Sequence, residues 1–183
     1  MPGQYVLFVG ALVPDKGPDL LVEAYRALRT DLPLIVVGDS PFAASYGAQV
    51  REMAARDARV RMLGYVRGDH YRELVAHAGI YVHPLRSDGT SPALLQAMGF
   101  GNCIVVNSIP ETLSAVGDAA VNFRHNDAGD LTAKLQMLLD DPALVEQYRN
   151  RALERATQEY DWDKVTESHL DVYRRVIGHK GMK

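Results

Sequence analysis

Residues 86–106 read RSDGTSPALLQAMGFGNCIVV, which is typical of a loop, a short helix, a glycine turn and a buried strand in succession. Ser91 is a residue type preferred at a helix N-cap, and Pro92 then occupies the first helical position, where its missing N–H costs nothing. The amide groups that open a helix have no partner within it, and the helix dipole adds positive charge there. The stretch therefore predicts an anion site, although many capped helices bind nothing.

An apolar stripe at helical spacing predicts the buried side of this helix, and it consists of Leu94, Leu95 and Met98. Gln96 lies on another side of the helix and points away from the stripe. Asp88 precedes the helix in the loop. Two polar side chains are therefore expected to flank the predicted anion site.

The overall composition is that of an ordinary globular chain: 183 residues, 47% hydrophobic and 23% charged, with a net charge of −3. This balance gives no reason to expect nucleic acid or an anionic membrane surface as a partner. Cys103 is the only cysteine, which excludes an intrachain disulfide and argues against a cysteine-based zinc site. No apolar run approaches the roughly 18 residues of a membrane span, and we expect no signal peptide. We expect a single cytoplasmic domain over residues 1–183.

Short runs rich in Val, Ile and Leu alternate with amphipathic patterns along the whole chain. Strands that are apolar on both faces are typical of a parallel sheet covered by helices on both sides. The sequence therefore predicts an α/β fold: a doubly wound, parallel, six-stranded sheet with additional C-terminal helices. The predicted strands are 5–9, 34–37, 60–63, 80–83, 103–106 and 120–123, and the predicted helices besides the one at Pro92 are 19–28, 46–56, 69–78, 110–116, 127–140, 142–159 and 162–176.

Four features near helix ends allow further predictions. Asp69 is expected to cap its helix. Glu111 can cap a helix or accept a sugar hydroxyl, or it can be a first-turn acid that the helix dipole favours. Trp162 is expected to anchor the last helix to the body of the protein, and residues 179–183 are expected to fray.

Three side chains lie beyond predicted strand ends, where doubly wound sheets bind their ligands. Lys16, in the first strand-to-helix connection, can neutralise a phosphate or can be a solvated loop lysine. His83, at the end of the fourth predicted strand, can contact a ligand or can be a satisfied structural residue. Arg86 can pair with a diphosphate or with Asp88.

Several familiar catalytic and nucleotide-binding motifs are absent from the sequence. No G-x-G-x-x-G follows the first strand and no G-x-x-x-x-G-K-[ST] occurs, so a phosphorylated ligand must be held in another way. H-x-x-x-H and H-E-x-x-H are missing, which leaves a zinc hydrolase without support. Ser91 lies in G-T-S-P-A rather than in G-x-S-x-G, so we do not expect it to be a hydrolase nucleophile.

Five stretches occur in the order of the landmarks of one enzyme family: VGALVPDKGPDLLVEAYRAL (9–28), GYV (64–66), VHP (82–84), DGTSPALLQAMGFG (88–101) and YDWDKVTESHLDVYRRV (160–176). They resemble the donor-binding domain of family 4 glycosyltransferases, which are retaining enzymes with the GT-B fold. The family's opening reads G-R-L-x-x-x-K-G, its signature reads E-G-x-x-x-x-x-x-E-A-M-x-x-G, and its last helix starts near a tryptophan. The resemblance covers nearly the whole chain.

The resemblance implies roles for individual residues in binding a nucleotide diphosphate sugar. Lys16 and the amides of the loop before the Pro92 helix would hold the diphosphate, and residues 64–66 would border the nucleobase. Asp88 would lie near the transferred sugar as the catalytic residue, and Gln96 would replace the glutamate that binds the ribose hydroxyls. The full predicted donor-binding set is Gly10, Lys16, Tyr65, His83, Arg86, Gly89, Thr90, Ser91 and Gln96, with no metal and no separate cofactor.

Three positions depart from the family pattern. Ala11 stands where the family usually has arginine, so one cation for the diphosphate is missing. Asp88 is one methylene shorter than glutamate, and Gln96 can accept a hydrogen bond but lacks the charge that would strengthen it. These changes are compatible with weaker nucleotide binding, a different nucleotide or a decayed site, and Arg86 is a candidate replacement for the lost charge.

The resemblance also implies a partner, because family members pair this domain with an N-terminal acceptor-binding domain to which the last helix crosses back. We therefore expect the donor domain of a transferase for glycans or glycolipids, inactive alone, with any membrane association through the domain that residues 1–183 do not contain. Two alternatives remain. One is a degenerate donor domain that acts as a non-catalytic binding or partner subunit, and the other is another GT-B enzyme such as a sugar-nucleotide epimerase.

Overall fold

A parallel sheet of six strands forms the centre of the protein in this computed structural model, which describes residues 3–87 and 91–180 and, for 178–180, the backbone only. Every paired strand runs parallel to its neighbour. The order across the sheet is β3-β2-β1-β4-β5-β6, so the direction of winding reverses between β1 and β4. The strands are β1 (Val6–Val9), β2 (Leu34–Val37), β3 (Val60–Gly64), β4 (Ile80–His83), β5 (Cys103–Asn107) and β6 (Val121–Phe123).

Eight α-helices connect and follow these strands in the described part of the chain. Short 3-10 turns at Pro14–Lys16 and Pro41–Ala43 precede the first two helices. The helices are α1 (Pro18–Arg26), α2 (Ala44–Ala55), α3 (Gly68–Ala76), α4 (Pro92–Gly99), α5 (Pro110–Val116), α6 (Ala128–Asp140), α7 (Pro142–Glu159) and α8 (Trp162–Lys180).

The buried side chains form two apolar clusters, one on each face of the sheet. One cluster packs α1, α2 and α6 against the strands and includes Tyr25, whereas the other packs α3, α4 and part of α7 and includes Met98. Successive residues of a strand point to opposite faces, so β1 contributes Phe8 to the first cluster and Leu7 to the second. The predicted doubly wound parallel sheet of six strands is therefore confirmed.

Most predicted helix and strand ends agree with the structure to within two residues, but the predicted cap of α3 is wrong. This helix begins at Gly68, with Arg67 at the N-cap position and no side-chain cap hydrogen bond. Asp69 lies inside the first turn with its side chain 94% exposed, where the helix dipole still favours a carboxylate. At α6, by contrast, Asp127 caps the helix and accepts a hydrogen bond from the backbone N–H of Asp130.

The last helix differs from the prediction in two respects. Trp162 is 81% exposed, so it does not anchor α8 to the body. The helix start is held instead by Asp161, whose Oδ1 accepts two first-turn backbone N–H groups at 2.9 and 3.2 Å. The helix also continues through Lys180 rather than fraying at residue 179, and residues 181–183 lie outside the described residues. In the described part of the chain, no helix is long and apolar enough to cross a bilayer.

The Tyr81 hydroxyl is buried in β4 without a hydrogen-bond partner among the described residues, and burial raises its pKa, with a smaller contribution from Tyr71. A buried polar group without a partner costs about 1–3 kcal/mol. We therefore expect Tyr81→Phe to increase the free energy of unfolding by about 1 kcal/mol, measured by urea denaturation. Tyr25 is the matched control, because its hydroxyl donates to the Leu32 carbonyl. Tyr25→Phe should therefore lower the free energy of unfolding by about 1 kcal/mol. Equal losses in both variants would contradict this view of Tyr81.

Candidate active site

The carboxyl ends of β1 and β4 form the most favourable place for a ligand in this sheet. The two strands are neighbours, but the chain leaves β1 toward β2 and leaves β4 toward β5. Connections that diverge in this way open a crevice at the strand ends, which is where doubly wound sheets bind ligands. Of the described residues, 10–17 after β1 and 84–87 after β4 form the loops that border the crevice.

The first loop leaves β1 at Gly10, whose N–H donates to the Val37 carbonyl at 3.0 Å. The 3-10 turn of this loop ends at Gly17, which has φ +65°, a left-handed value that glycine adopts without strain. A Cβ on Gly17 would lie 2.3 Å from the carbonyl oxygen of Pro84 in the second loop. The two loops therefore touch at a point where only glycine fits.

Arg86 ties the second loop to the first. Its backbone N–H donates to the Asp15 carbonyl at 2.8 Å, and its guanidinium donates to the Pro14 carbonyl and to Asp19 Oδ2, both at 2.9 Å. Asp19 lies in the first turn of α1. In this structure the guanidinium of Arg86 is paired with Asp19, and Arg86 links the two loops of the crevice.

The Asp19 carboxylate is the polar centre of this link. Tyr46 of α2 donates a hydrogen bond to its Oδ1, while Arg86 occupies Oδ2. Burial alone would raise the pKa of the Asp19 carboxyl, but the hydrogen bonds from Arg86 and Tyr46 and the positive charge of Arg86 outweigh burial and lower the pKa. Sequence reasoning missed both Asp19 and Tyr46, because nothing in the pattern indicates that they meet Arg86.

The lowered pKa predicts a pH-dependent contribution of Asp19 to stability. A carboxylate with a depressed folded-state pKa stabilises the protein above the unfolded pKa of about 3.9, and this contribution is lost as the pH falls through the folded pKa. We expect Asp19→Asn to lower the free energy of unfolding by about 1–2 kcal/mol at pH 7, and the difference from wild type to shrink below about pH 4. Urea denaturation of both proteins at several pH values measures this difference in the free energy of unfolding. Asp69→Asn, at an exposed first-turn acid, should cost much less than Asp19→Asn. A difference in free energy of unfolding between Asp19→Asn and wild type that stays constant with pH would contradict the assignment.

Lys16 and His83 complete the polar lining of the crevice. Lys16 is half-buried at the end of the 3-10 turn, and no described carboxylate forms an ion pair with it. His83 is buried at the end of β4, and its Nε2 has no hydrogen-bond partner among the described residues. Burial, with a smaller effect from the charge of Lys16, lowers the pKa of His83 to about 4. At neutral pH the imidazole of His83 is therefore neutral, and the positive charge of Lys16 acts on it.

The start of α4 follows the second loop in the chain. Ser91 occupies the N-cap position and Pro92 the first turn as predicted, but the Ser91 side chain makes no cap hydrogen bond. The backbone carbonyl of Ser91 accepts the N–H groups of Leu94 and Leu95 at 3.0 and 3.2 Å. Leu94 and Met98 of the predicted stripe are buried, but Leu95 is only half-buried, and Ala97 takes its place on the buried side. Gln96 is exposed.

The remaining predicted site residues have varied outcomes. Asp88, Gly89 and Thr90 lie outside the described residues. Tyr65 is 59% exposed, and its hydroxyl donates to the Asp39 carbonyl at 3.1 Å, which joins the loops after β3 and β2. Glu111 lies in the first turn of α5, with one carboxylate oxygen buried and without a described partner.

A cleft opens on the outer side of α4, toward the junction of α7 and α8. Gln96 lines it together with Pro92, Leu95, Tyr160 and Trp162. In the described residues, no group of three or more histidine, cysteine, aspartate or glutamate side chains could hold a metal ion. Among the described residues, Lys16 and the backbone N–H groups at the start of α4 are groups that could hold an anion, and Gln96 is a side chain that can form hydrogen bonds.

Comparison with known proteins supports a glycosyltransferase. The family described as "Glycosyl transferases group 1" matches residues 3–141. The O-antigen chain mannosyltransferase B of Escherichia coli is 29% identical over 174 residues, which is 93% of this chain and 45% of that protein. The alpha-maltose-1-phosphate synthase of Mycobacterium tuberculosis is 28% identical over 183 residues, 93% of this chain and 47% of that protein. The chain thus spans about half the length of these relatives.

Solved structures share the fold. An Anabaena protein, Alr3699/HepE in complex with UDP and glucose, superposes with a TM-score of 0.86 at 18% identity over 94% of this chain and 49% of that one. The C-terminal domain of a glycosyl transferase group 1 family protein from Francisella tularensis superposes with a TM-score of 0.78 at 16% identity, over 88% of this chain and 89% of that one. The predicted glycosyltransferase domain with the GT-B fold is therefore confirmed, and this chain belongs to the family Glycosyl transferases group 1.

Proposed function

We propose that this chain is the donor-binding domain of a glycosyltransferase and binds a nucleotide diphosphate sugar in the crevice between β1 and β4. The observation that carries the proposal is Lys16, a cation without a described carboxylate partner, which lies in the loop after β1, at the point where the winding of the sheet reverses. A lysine and a helix N-terminus together attract a diphosphate. Arg86 supports the site by fixing the two loops and is not part of the anion-binding set.

The proposed role in catalysis is electrostatic. When the bond between the sugar and the diphosphate breaks, negative charge develops on the leaving nucleotide, and a positioned lysine and helix dipole stabilise that charge. Asp88, close to the start of α4 in sequence, is the proposed catalytic residue on the grounds of the family resemblance alone. Transfer with retention, to a glycan or glycolipid acceptor and without a metal ion, belongs to the same proposal.

We further propose that a second domain or subunit covers α8 in the complete enzyme. The helix exposes a long apolar side that includes Trp162, Leu170, Tyr173, Val176 and Ile177, while its charged residues lie mostly on the opposite side. An exposed apolar surface of this size marks an interaction site. Because the chain spans about half the length of its relatives, the proposed occupant is their other half, which would carry the acceptor site.

The experiment that tests donor binding is calorimetric titration of this chain with UDP, GDP, ADP and dTDP. UDP is included because a structural neighbour was solved with UDP bound. We expect saturable binding of at least one of the four nucleotides, with a preference that identifies the donor. Failure to bind any of the four would contradict the proposal that this chain carries the donor site.

The second candidate function is a degenerate donor domain that serves as a non-catalytic partner subunit. One observation favours it: Ala11 and Gln96 replace charged residues of the family pattern. Nucleotide binding by this chain would exclude complete decay of the site and favour the first candidate.

A further inference from the structure

Two aromatic side chains line the cleft that opens between α4 and the junction of α7 and α8. Tyr160 is the C-cap residue of α7, and Trp162 is the first residue of α8. The Tyr160 hydroxyl donates to the Ala115 carbonyl at 2.9 Å, which fixes its ring. Trp162 is 81% exposed, so its ring is open to a molecule that enters the cleft. The cleft therefore offers a ligand a flat aromatic surface, most of it from Trp162.

Two carboxylates line the same cleft, those of Asp161 and Asp163. Neither of them forms an ion pair with another described residue. Asp161 uses its Oδ1 to accept backbone N–H groups at the start of α8, and no described group donates to its Oδ2. An ionised carboxylate can only accept hydrogen bonds, and its hydrogen bonds are stronger than those of neutral acceptors. The cleft therefore favours a ligand with several hydroxyl hydrogens to donate.

The size and the remaining lining of the cleft suit a small organic ligand. Its volume is about 870 Å³, and Pro92, Leu95 and Ala156 add apolar surface to the aromatic rings. This volume falls within the roughly 300–1,000 Å³ that is usual for small-molecule sites, which are mostly apolar with a few polar groups.

The chemistry of a sugar ring matches this combination of groups. A pyranose presents C–H groups on its flat face, which pack against an aromatic ring, and carries hydroxyl groups around its edge. An apolar protein segment would cover the rings equally well, but it would bring no hydrogens for the carboxylates of Asp161 and Asp163. A carboxylate that loses water without gaining a donor is unfavourable, so the polar groups of the cleft favour the saccharide.

We propose that this cleft is a saccharide-binding site, in which one pyranose ring packs on Trp162 and its hydroxyl groups donate to Asp161 and Asp163. The site is additional to the donor crevice, and its ligand needs no nucleotide. Trp162 also begins the helix that a second domain would cover, so a saccharide in the cleft would lie at the boundary between the two halves of the complete enzyme. The two carboxylates select neutral sugars and repel acidic ones.

Trp162 is the only tryptophan of the chain, so its fluorescence reports on this site alone. The probes are methyl α-D-mannopyranoside, methyl α-D-glucopyranoside and maltose, titrated into this chain. We expect a saturable change in emission with at least one of them, with a Kd of roughly 1–10 mM, as the small size of one or two sugar rings implies. The acidic methyl α-D-glucuronide should bind at least about 3-fold more weakly than methyl α-D-glucopyranoside.

Two control ligands separate the contributions of the ring and of the hydroxyl groups. Sorbitol has the hydroxyl groups of a sugar without a ring, and cyclohexanol has a ring with a single hydroxyl group. Each should bind at least about 5-fold more weakly than the best saccharide, because each satisfies only one part of the site. Cyclohexanol binding as tightly as the saccharides would indicate a groove for an apolar protein segment and would overturn the proposal, and equal binding of sorbitol would do the same.

NMR titration of ¹⁵N-labelled variants measures affinity without the tryptophan signal. Trp162→Ala should lose about 10-fold or more in saccharide affinity, and Trp162→Phe should lose less because it keeps an aromatic face. Tyr173→Ala is the matched control: Tyr173 is 60% exposed on the same helix but does not line the cleft, so its loss should leave the affinity unchanged. Both side chains are exposed, so we expect both variants to fold.

The carboxylates have their own test. Asp163→Ala should lose about 3- to 10-fold in affinity for the neutral saccharide. Glu167→Ala, at an exposed acid of α8 that does not line the cleft, should leave it unchanged. No saturable binding of any of the three saccharides, or equal losses in Trp162→Ala and Tyr173→Ala, would overturn the saccharide site. The nucleotide titration decides the donor site separately, so the two proposals can fail independently.

Discussion

Replacing Lys16 by alanine is expected to lower the affinity of this chain for its nucleoside diphosphate by about 10- to 100-fold. A hydrogen bond to a charged group contributes about 1.5–3 kcal/mol, and each 1.4 kcal/mol changes affinity tenfold. Lys16 is the cation of the crevice that has no described carboxylate partner, since Arg86 is held by Asp19. The variant therefore loses a positive charge that would face the diphosphate, and no described carboxylate is left without its partner. Calorimetric titration of wild type and variant measures the effect.

The control for this variant is Lys134→Ala. Lys134 lies on α6, is half-buried like Lys16, and belongs to the helix layer that packs against α1 rather than to the crevice. It should leave nucleotide affinity unchanged. Increasing salt should also weaken wild-type binding more than binding by Lys16→Ala, because screening acts on the charge that the variant lacks. Equal nucleotide affinities in wild type and Lys16→Ala would show that Lys16 does not contribute to nucleotide binding.

The largest expected effect on stability comes from Gly17→Ala. The glycine has φ +65°, and an added Cβ would lie 2.3 Å from the carbonyl oxygen of Pro84. Backbone strain at left-handed φ costs about 1–2 kcal/mol for a residue with a Cβ, and forcing the two loops apart adds a comparable or larger amount. We expect the free energy of unfolding to fall by about 3 kcal/mol or more, and nucleotide binding to weaken because the crevice opens.

Gly64→Ala is the matched control that measures the backbone strain alone. Gly64 has the same φ of +65°, but a Cβ there would meet nothing within 4 Å. This variant should lower the free energy of unfolding by only about 1 kcal/mol. The difference in free energy of unfolding between the two variants then gives the contribution of the contact between the loops. Urea denaturation of both proteins gives the comparison. Similar losses for Gly17→Ala and Gly64→Ala would show that the contact with Pro84 contributes little.

The fold could be predicted from the sequence because its signals are local. The apolar run of β4 and the Pro-to-Glu span of α7 have the predicted bounds, since each depends on a pattern within a few consecutive residues. The predicted cap at Asp69 and the predicted anchor at Trp162 were wrong for a different reason. Whether a residue caps a helix depends on where the chain enters that helix. Whether a side chain packs against the rest of the protein depends on which other elements lie over it.

The candidate site was only partly predictable, because its contacts join residues that are distant in sequence. Lys16 and His83 could be assigned from their positions at strand ends. The ion pair of Arg86 with Asp19 spans 67 residues, and the hydrogen bond of Tyr71 with Gln96 spans 25. Neither pair follows a periodic pattern or a motif, so only the packed arrangement of strands and helices reveals them.

The measurement that tests the location of the donor site most directly is an NMR titration of ¹⁵N-labelled protein with the nucleoside diphosphate that binds. We predict that the largest amide shifts lie in residues 10–17, 83–87 and 91–96, which border the crevice between β1 and β4. The phosphate portion should shift the amide of Lys16 most strongly among the lysines. Shifts confined to α8, or to the opposite end of the sheet at the starts of the strands, would contradict a donor site in the crevice.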